Sequence, residues 1–414
     1  MISQLKQLSQ SYNQLAMLRL FVFLIFSISL IPLGKLFGQA QFKLVPVDKV
    51  ETSYNTVTCT AFQSGNQHFL YTAGDGNKIE VYKVQENGSL DFVKNYVVTG
   101  GDKTVRGLIT DKVHGTDFLF AGLKGGNAVE VYEIQPDGSL KSVFVLQDTD
   151  STYLGIVITL EVIHMESDSY LFVGGLEKEP GLSSFKITEK GQLEHVQSMA
   201  DSEKVFTDGI IGMSTHQIDG KTYLFTGGFQ DNGLSSFRIY KDGRFENISN
   251  IGDDHSLYLN GTYPVISATR GDWKYVVVGH RHHIYYKPTP WVKDRYTYYY
   301  HGDAVSVFRV DENGKLLPRS IFQGNSETLI KGQTRLHKLP LDKDFDLIAV
   351  ATRDDKSIQL CVLNNMGRLI DAGKINTGFS IYYGLAGQKI GDQLFLFAGS
   401  VNGKELVSYR LDPI

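Results

Sequence analysis

The chain has 414 residues, 42% hydrophobic and 21% charged, with a formal net charge of -4. This balance fits a folded globular protein rather than a disordered one, and it gives no general electrostatic drive toward nucleic acid or an acidic membrane. Two cysteines, Cys59 and Cys361, are too few for a cysteine-based metal site and read as small buried hydrophobes.

The N-terminus reads as a leader. From Leu18 to Leu33 the chain runs LRLFVFLIFSISLIPL, followed by GKLFGQA, with Gly38 and Ala40 at the small-residue positions of a cleavage site. This is the pattern of a signal peptide over 1–40, with a start possible at Met17. It predicts a periplasmic or secreted protein; an uncleaved anchor is the alternative. After Ala40 no apolar run is long enough to span a bilayer.

The next segment, FKLVPVDKV at 42–50, reads as a strand. It is followed by a repeat. LYTAGDGNKIEVYKVQENGSL starts at Leu70, LFAGLKGGNAVEVYEIQPDGSL at Leu119, LFVGGLEKEPGLSSFKITEKGQL at Leu171 and LFTGGFQDNGLSSFRIYKDGRF at Leu224. A split copy begins at Val276 and resumes at Asp303; two more begin at Ile348 and Leu396. In each, an apolar strand reaches a short polar loop and is followed by an alternating strand. A turn closed by glycine comes next: Gly88, Gly138, Gly191, Gly243, Gly314 and Gly367. Glycine supplies the positive φ such a turn needs. The intervals between them are 50, 53, 52, 71 and 53 residues.

Another strand precedes each apolar one, at 57–63, 105–113, 154–164, 208–218, 263–271, 334–341 and 382–390. Its small residues suit the crowded inner position of a ring. Outer strands such as 89–97 follow the glycine turns. The prediction is an all-β, seven-bladed β-propeller over 41–414, with four-stranded blades and no separate second domain. The seventh blade lacks its outer strand at the C-terminus, so residues 42–50 are expected to supply it and remove the open sheet edge.

The blade phrase LF-x-G-G … L-S-S-F-x-I … G-x-L, clearest at 171–193 and 224–245, resembles the lactonase-type (YVTN-like) seven-bladed propellers. The resemblance spans roughly 42–414. It implies the same architecture. That group includes sugar-acid lactone hydrolases and also many propellers without known activity. No lactonase active-site constellation matches residue by residue, so hydrolysis stands on fold analogy.

Candidate site residues fall in two places. Aligning the inner strands by their small residues puts Thr56, Arg106, Leu154, Asp208, Tyr263, Arg335 and Tyr383 at the channel mouth; a one-residue slip exchanges Arg335 for Thr334. The 71-residue interval contains HRHHIYYKPTPWVKDRYTYYYHGD, from His280 to Asp303. It reads as a long hairpin over 280–303 carrying His280, His282, His283, Tyr298 and His301. Aromatic faces with Arg and His suit a sugar, above all an anionic one. Histidines could bind a transition metal, but no spacing fixes a complete ligand set. The plainest alternative is a hairpin held by cross-strand aromatic pairs, acting as a lid or protein contact.

The reading is an exported, monomeric propeller that binds a carbohydrate or protein ligand on the face carrying this hairpin. It has no expected cofactor or metal, no nucleic-acid partner and no membrane span after removal of the leader. A lactonase-like hydrolase is the first alternative, with Asp208 or a lid histidine as base and Arg106 or Arg335 as electrophile. A lyase acting on uronate polysaccharide is the second. There is no G-x-S-x-G, HExxH or P-loop to favour either.

Overall fold

The computed structural model describes residues 41–99, 104–176, 180–254, 256–286, 297–342 and 345–414. Residues 1–40, where the leader is expected, and residues 287–296 lie outside the described residues. Seven four-stranded antiparallel sheets form a seven-bladed propeller. Blade one consists of Thr56–Ser64, Gln67–Gly74, Lys78–Val84 and Leu90–Val97, from the inside outward. Blades two to four begin at the inner strands Thr104–Val113, Thr159–His164 and Ile210–Ile218; blades five and six begin at Thr262–Arg270 and Gln333–Asp342.

Blade seven is built from both ends of the described chain. Leu385–Ile390, Gln393–Gly399 and Glu405–Pro413 are followed in space by Phe42–Glu51. The pairing runs from Phe42 opposite Pro413 to Glu51 opposite Glu405, with a bulge between Pro46 and Asp48. The Ile414 N–H donates to the Gln41 carbonyl at 2.9 Å and continues the ladder. The strand expected at 42–50 therefore closes the ring.

Three inner strands start later than expected, that of blade four by two residues, at Ile210. Blade three pairs only from Thr159, because the preceding backbone is engaged elsewhere: the Tyr153 N–H donates to Ser183 Oγ at 3.1 Å and the Leu154 N–H to Asp148 Oδ1 at 3.2 Å. Blade seven pairs from Leu385.

The apolar cores lie between neighbouring blades. One cluster joins Phe69, Tyr71 and Val81 of blade one to Leu119 and Tyr132 of blade two; another joins Phe120 and Val131 of blade two to Leu171 and Phe185 of blade three. Burial of one such aromatic or branched side chain contributes roughly 1.5–3 kcal/mol.

The turn glycines tie these clusters together. Gly88, Gly138, Gly191, Gly243, Gly314 and Gly367 all have φ between +68° and +86°. Each turn also lies against an aromatic ring of the preceding blade. A Cβ at Gly138 would come within 2.3 Å of Phe69, and one at Gly243 within 2.3 Å of Tyr170. The same relation links Gly88 to Phe395, Gly191 to Phe118, Gly314 to Tyr223 and Gly367 to Tyr275. Tyr71 Oη donates to the Gly138 carbonyl at 3.2 Å, and Tyr170 Oη to the Lys241 carbonyl at 3.1 Å.

A second device recurs in the third strands, where a buried polar side chain holds the loop leading into its own blade. Glu80 Oε1 accepts from the Ser53 N–H, and Glu130 accepts from both the N–H and the hydroxyl of Thr99. Ser235 Oγ accepts from the Phe206 N–H, and Gln359 Oε1 from the Leu329 N–H. The first serine of the repeated L-S-S-F phrase has this duty in blades three and four.

Two outcomes test this account. Gly220 also has positive φ, at +71°, but nothing lies within 4 Å of its would-be Cβ. Gly220→Ala should cost about 1 kcal/mol of backbone strain, whereas Gly243→Ala should cost about 2–4 kcal/mol because the Tyr170 ring must also move. Equal losses in denaturant unfolding would show that blade contact adds nothing. Removing residues 41–51 from the chain should lower the melting temperature sharply and promote aggregation through the exposed edge of Glu405–Pro413; unchanged melting would refute closure by this strand.

Candidate functional site: a cationic bowl over a plugged channel

Most inner strands begin with a β-bulge. The register breaks between Thr56 and Thr58, Val105 and Gly107, Ile210 and Gly212, Thr262 and Val265, and Gln333 and Arg335. Each break leaves an extra residue at the mouth: Val57, Arg106, Ile211, Tyr263 with Pro264, and Thr334. A bulge re-aims a side chain out of the ladder. Glycine follows in two blades because neighbouring backbone crowds in. A Cβ at Gly107 would meet the Ile158 carbonyl at 2.5 Å, and one at Gly212 the Tyr263 carbonyl at 2.6 Å. In blade seven Tyr383 forms an isolated parallel bridge with Thr58 of blade one.

The mouth ring therefore differs in part from the alignment by small residues. Arg106, Tyr263 and Tyr383 are in it, while Val57 replaces Thr56, Ile211 replaces Asp208 and Thr334 replaces Arg335. Thr56 and Leu154 are fully buried. The extra residue of a bulge is invisible to an alignment that assumes continuous pairing.

Val57, Ile211, Tyr263 and Tyr383 pack into one buried cluster with Ile158, Leu176, Phe229 and Tyr382. These residues come from blades far apart around the ring, so they meet across its axis and plug the channel. The Tyr263 and Tyr383 rings stack with centroids 5.4 Å apart and planes 13° from parallel, and their hydroxyls are hydrogen-bonded. Burial, and then the neighbouring Tyr383, holds the Tyr263 phenol well above its ordinary pKa; burial is the leading cause for Tyr383 too. Neither phenol serves as a base at neutral pH.

Above the plug lies a cavity of about 250 Å³. Its floor is formed by Ile158, Ile211, Tyr263 and Tyr383, and its walls include Phe229, Gln230 and Tyr382. Three cations line it: Arg106, Lys124 and Arg281. No carboxylate stands among the described lining residues. Arg281 Nη1 donates to Tyr382 Oη at 2.5 Å. Its guanidinium carbon lies 4.9 Å from the Tyr382 ring centroid and 5.4 Å from that of Tyr263. Arg106 faces Asp75 at 3.5 Å, across a partly exposed gap.

Lys124, Arg281 and Tyr382 escaped the sequence reading. The signal was positional: Lys124 ends a second strand, while Gln230 and Arg281 lie one or two residues beyond the ends of theirs. Those loops face the same mouth as the inner-strand bulges.

The other candidate residues lie elsewhere. His280 ends the second strand of blade five and is fully buried, with Tyr258 against its ring at 5.6 Å and its N–H donating to Gln333 Oε1 at 2.9 Å. It belongs to the blade rather than to a raised arm. The hairpin consists of His282–Tyr286 and Thr297–His301, pairing His282 with His301 and Tyr285 with Tyr298. It begins directly after Arg281. The side chains of His282, His283, Tyr298 and His301 lie outside the described residues. Asp208 is gathered with Asp201 and Asp231, all three offering oxygens within 4.8 Å of one another. Its N–H donates to Asp231 Oδ2 at 2.7 Å. Burial pushes the Asp231 carboxyl up to about 7.

Arg335 lies within the ring, with Glu161 of blade three and His337 of its own strand. All three side chains are half-buried and closely surrounded by protein. Burial pushes the Glu161 carboxyl up to about 7, and Thr215 Oγ1 donates to Glu161 Oε1 at 3.2 Å. Burial, and then Arg335, lowers His337 to about 4. Cys59 and Cys361 are buried free thiols in blades one and six.

Fold and site together define a seven-bladed propeller with a blocked channel and a cationic, tyrosine-lined bowl on one face. No family model and no curated protein sequence matches the chain. Solved structures do. One is BBS1N in complex with ARL6DN, with a TM-score of 0.58 and 11% identity, covering 90% of this chain and 98% of that one. Another is a proposed 6-phosphogluconolactonase from Bacteroides fragilis, with a TM-score of 0.55 and 17% identity, covering 82% and 98%. A functionally unknown protein from Desulfotomaculum acetoxidans matches with a TM-score of 0.52 and 10% identity, covering 78% and 87%. The fold-level resemblance to lactonase-type propellers holds. Among the described residues no helix is long and apolar enough to cross a membrane.

The raised Glu161 carboxyl has a consequence for stability. Its ordinary pKa is 4.5 and its folded value about 7. The stability it contributes is complete below pH 4.5 and is lost as the pH rises through 7. Glu161→Gln should remove this dependence, raising stability by roughly 1–3 kcal/mol at pH 8 and leaving it unchanged at pH 4. Parallel pH–stability curves for the two proteins would show that Glu161 titrates normally.

Proposed function

We propose that this chain is an exported binding propeller whose bowl takes an anionic carbohydrate, a sugar acid or sugar phosphate. The observation that carries this reading is the lining: three cations around three tyrosines, with no carboxylate among the described lining residues. Guanidinium groups pair with carboxylate or phosphate oxygens, and tyrosine faces and hydroxyls suit a sugar ring. A volume of about 250 Å³ fits one monosaccharide unit. The export part rests on the leader pattern at 18–40.

Binding is favoured over hydrolysis because the groups a hydrolase would need are spread apart. Arg106 is in the bowl, whereas Asp208 is held in the acidic cluster beside it and Arg335 is inside the ring. Elimination by a tyrosine base is disfavoured by the raised phenols. A protein ligand draws support only from the fold likeness to BBS1N, which is itself in a complex.

The test is calorimetric titration with gluconate, glucuronate and 6-phosphogluconate, with glucose as the neutral control. At least one anion should bind, glucose should not, and Arg106→Ala and Arg281→Lys should each weaken binding about tenfold, or ~1.4 kcal/mol. Binding of glucose as tight as that of the anions, or no effect of either substitution, would overturn the reading. Turnover of a sugar-acid lactone that is lost in the same variants would replace it with the hydrolase.

A further inference from the structure

A second cavity opens beside the bowl. It has a volume of about 300 Å³, and its lining includes Tyr54, Asn55, Asp75, Asn77, Lys78 and Lys404. Asp75 directly follows the second strand of blade one, Gln67–Gly74, just as Arg281 of the bowl directly follows the second strand of blade five. Both cavities therefore lie on the same face. Asp75 Oδ1 stands 3.5 Å from Arg106 Nη2, and Arg106 lines the bowl. The two cavities meet at this pair.

The second cavity is built into the seam between blades seven and one. The Thr52 N–H donates to the Lys404 carbonyl at 3.1 Å, and the Asp75 N–H to the Asn55 carbonyl at 3.3 Å. Tyr54 is the buried residue of the lining and forms the floor, with its hydroxyl donating to the Thr72 carbonyl. A Cβ at Gly76 would lie 3.6 Å from the Tyr54 ring, so a side chain there would cover the floor. Lys78 and Lys404 bring two positive charges. The carboxylates adjoining them in the chain are engaged elsewhere: Glu405 with Lys49, and Glu80 with the Ser53 N–H and the Tyr82 hydroxyl. At 3.5 Å, Asp75 and Arg106 are too far apart for a close hydrogen bond. Each keeps hydrogen-bonding capacity for a ligand that passes over the pair.

We propose that this cavity is a second sugar subsite and that the ligand is an oligomer of uronic acids, with its terminal unit in the bowl and the adjoining unit over blade one. This rests on the bowl taking an acidic sugar. Each cavity has room for one monosaccharide, about 250 Å³ in the bowl and about 300 Å³ beside it. Each also has its own cations, which matches a chain carrying one carboxylate per unit. A single sugar phosphate would leave Lys78 and Lys404 unmatched. Asp75 and Asn77 supply acceptors and donors for the hydroxyls of the second unit.

The test is calorimetric titration of the full chain with galacturonate and mannuronate and with the 1,4-linked dimer of each, one α-linked and the other β-linked. At least one dimer should bind the wild type about tenfold more tightly than its monomer. The double variant Lys78→Glu/Lys404→Glu should lose that gain while holding the monomer within about twofold of wild type. Gly76→Gln, which fills the cavity without changing its charge, should lose the gain as well. Monomers that bind while neither dimer binds more tightly overturn the subsite and leave the bowl reading intact, as does binding of 6-phosphogluconate alone. A gain retained in both variants also overturns the subsite. Failure of every sugar acid and sugar phosphate to bind overturns the bowl reading and the subsite with it.

Discussion

Everything in this ring rests on the contact between a turn and a ring of atoms in the blade before it. The glycine that closes each outer hairpin lies against a Phe or Tyr of the preceding blade's second strand, at a distance that leaves no room for a Cβ. The same glycine needs positive φ. One residue type thus satisfies a local and a tertiary demand together. Because every contact points from one blade to the one before it, the relation sets the order and spacing of the blades.

The ring has no such hairpin at its seam, since the outer strand of blade seven comes from Phe42–Glu51. There the ladder to Glu405–Pro413 replaces the turn, and backbone hydrogen bonds do what an aromatic contact does elsewhere. The seam joins the two ends of the described chain, so opening it frees a sheet edge that no other described segment covers.

The functional face follows from the inner ends of the blades. In five inner strands a bulge turns a residue or two out of the ladder, and Val57, Ile211 and Tyr263 among them meet Tyr383 as a plug. That plug gives the bowl its floor. The bowl collects Arg106, Lys124 and Arg281 where water still screens them. Arg335 and Glu161 lie deeper in the ring, on inner strands, where burial makes charge expensive and shifts the Glu161 carboxyl upward.

The sequence by itself determined the blade count, the glycine turns and the closing strand, because each depends on a periodic pattern of apolar, small and turn residues. It also placed Arg106, Tyr263 and Tyr383 at the mouth. It did not reveal that Val57, Ile211 and Thr334, rather than Thr56, Asp208 and Arg335, occupy that ring, since a bulge adds a residue without changing composition. Nor did it show that His280 is a buried blade residue, or that Lys124 and Arg281 reach the same cavity from separate blades. Those facts are decided by the tertiary structure, because side chains distant in the chain share a cavity only once the ring has closed and fixed which way each strand end points.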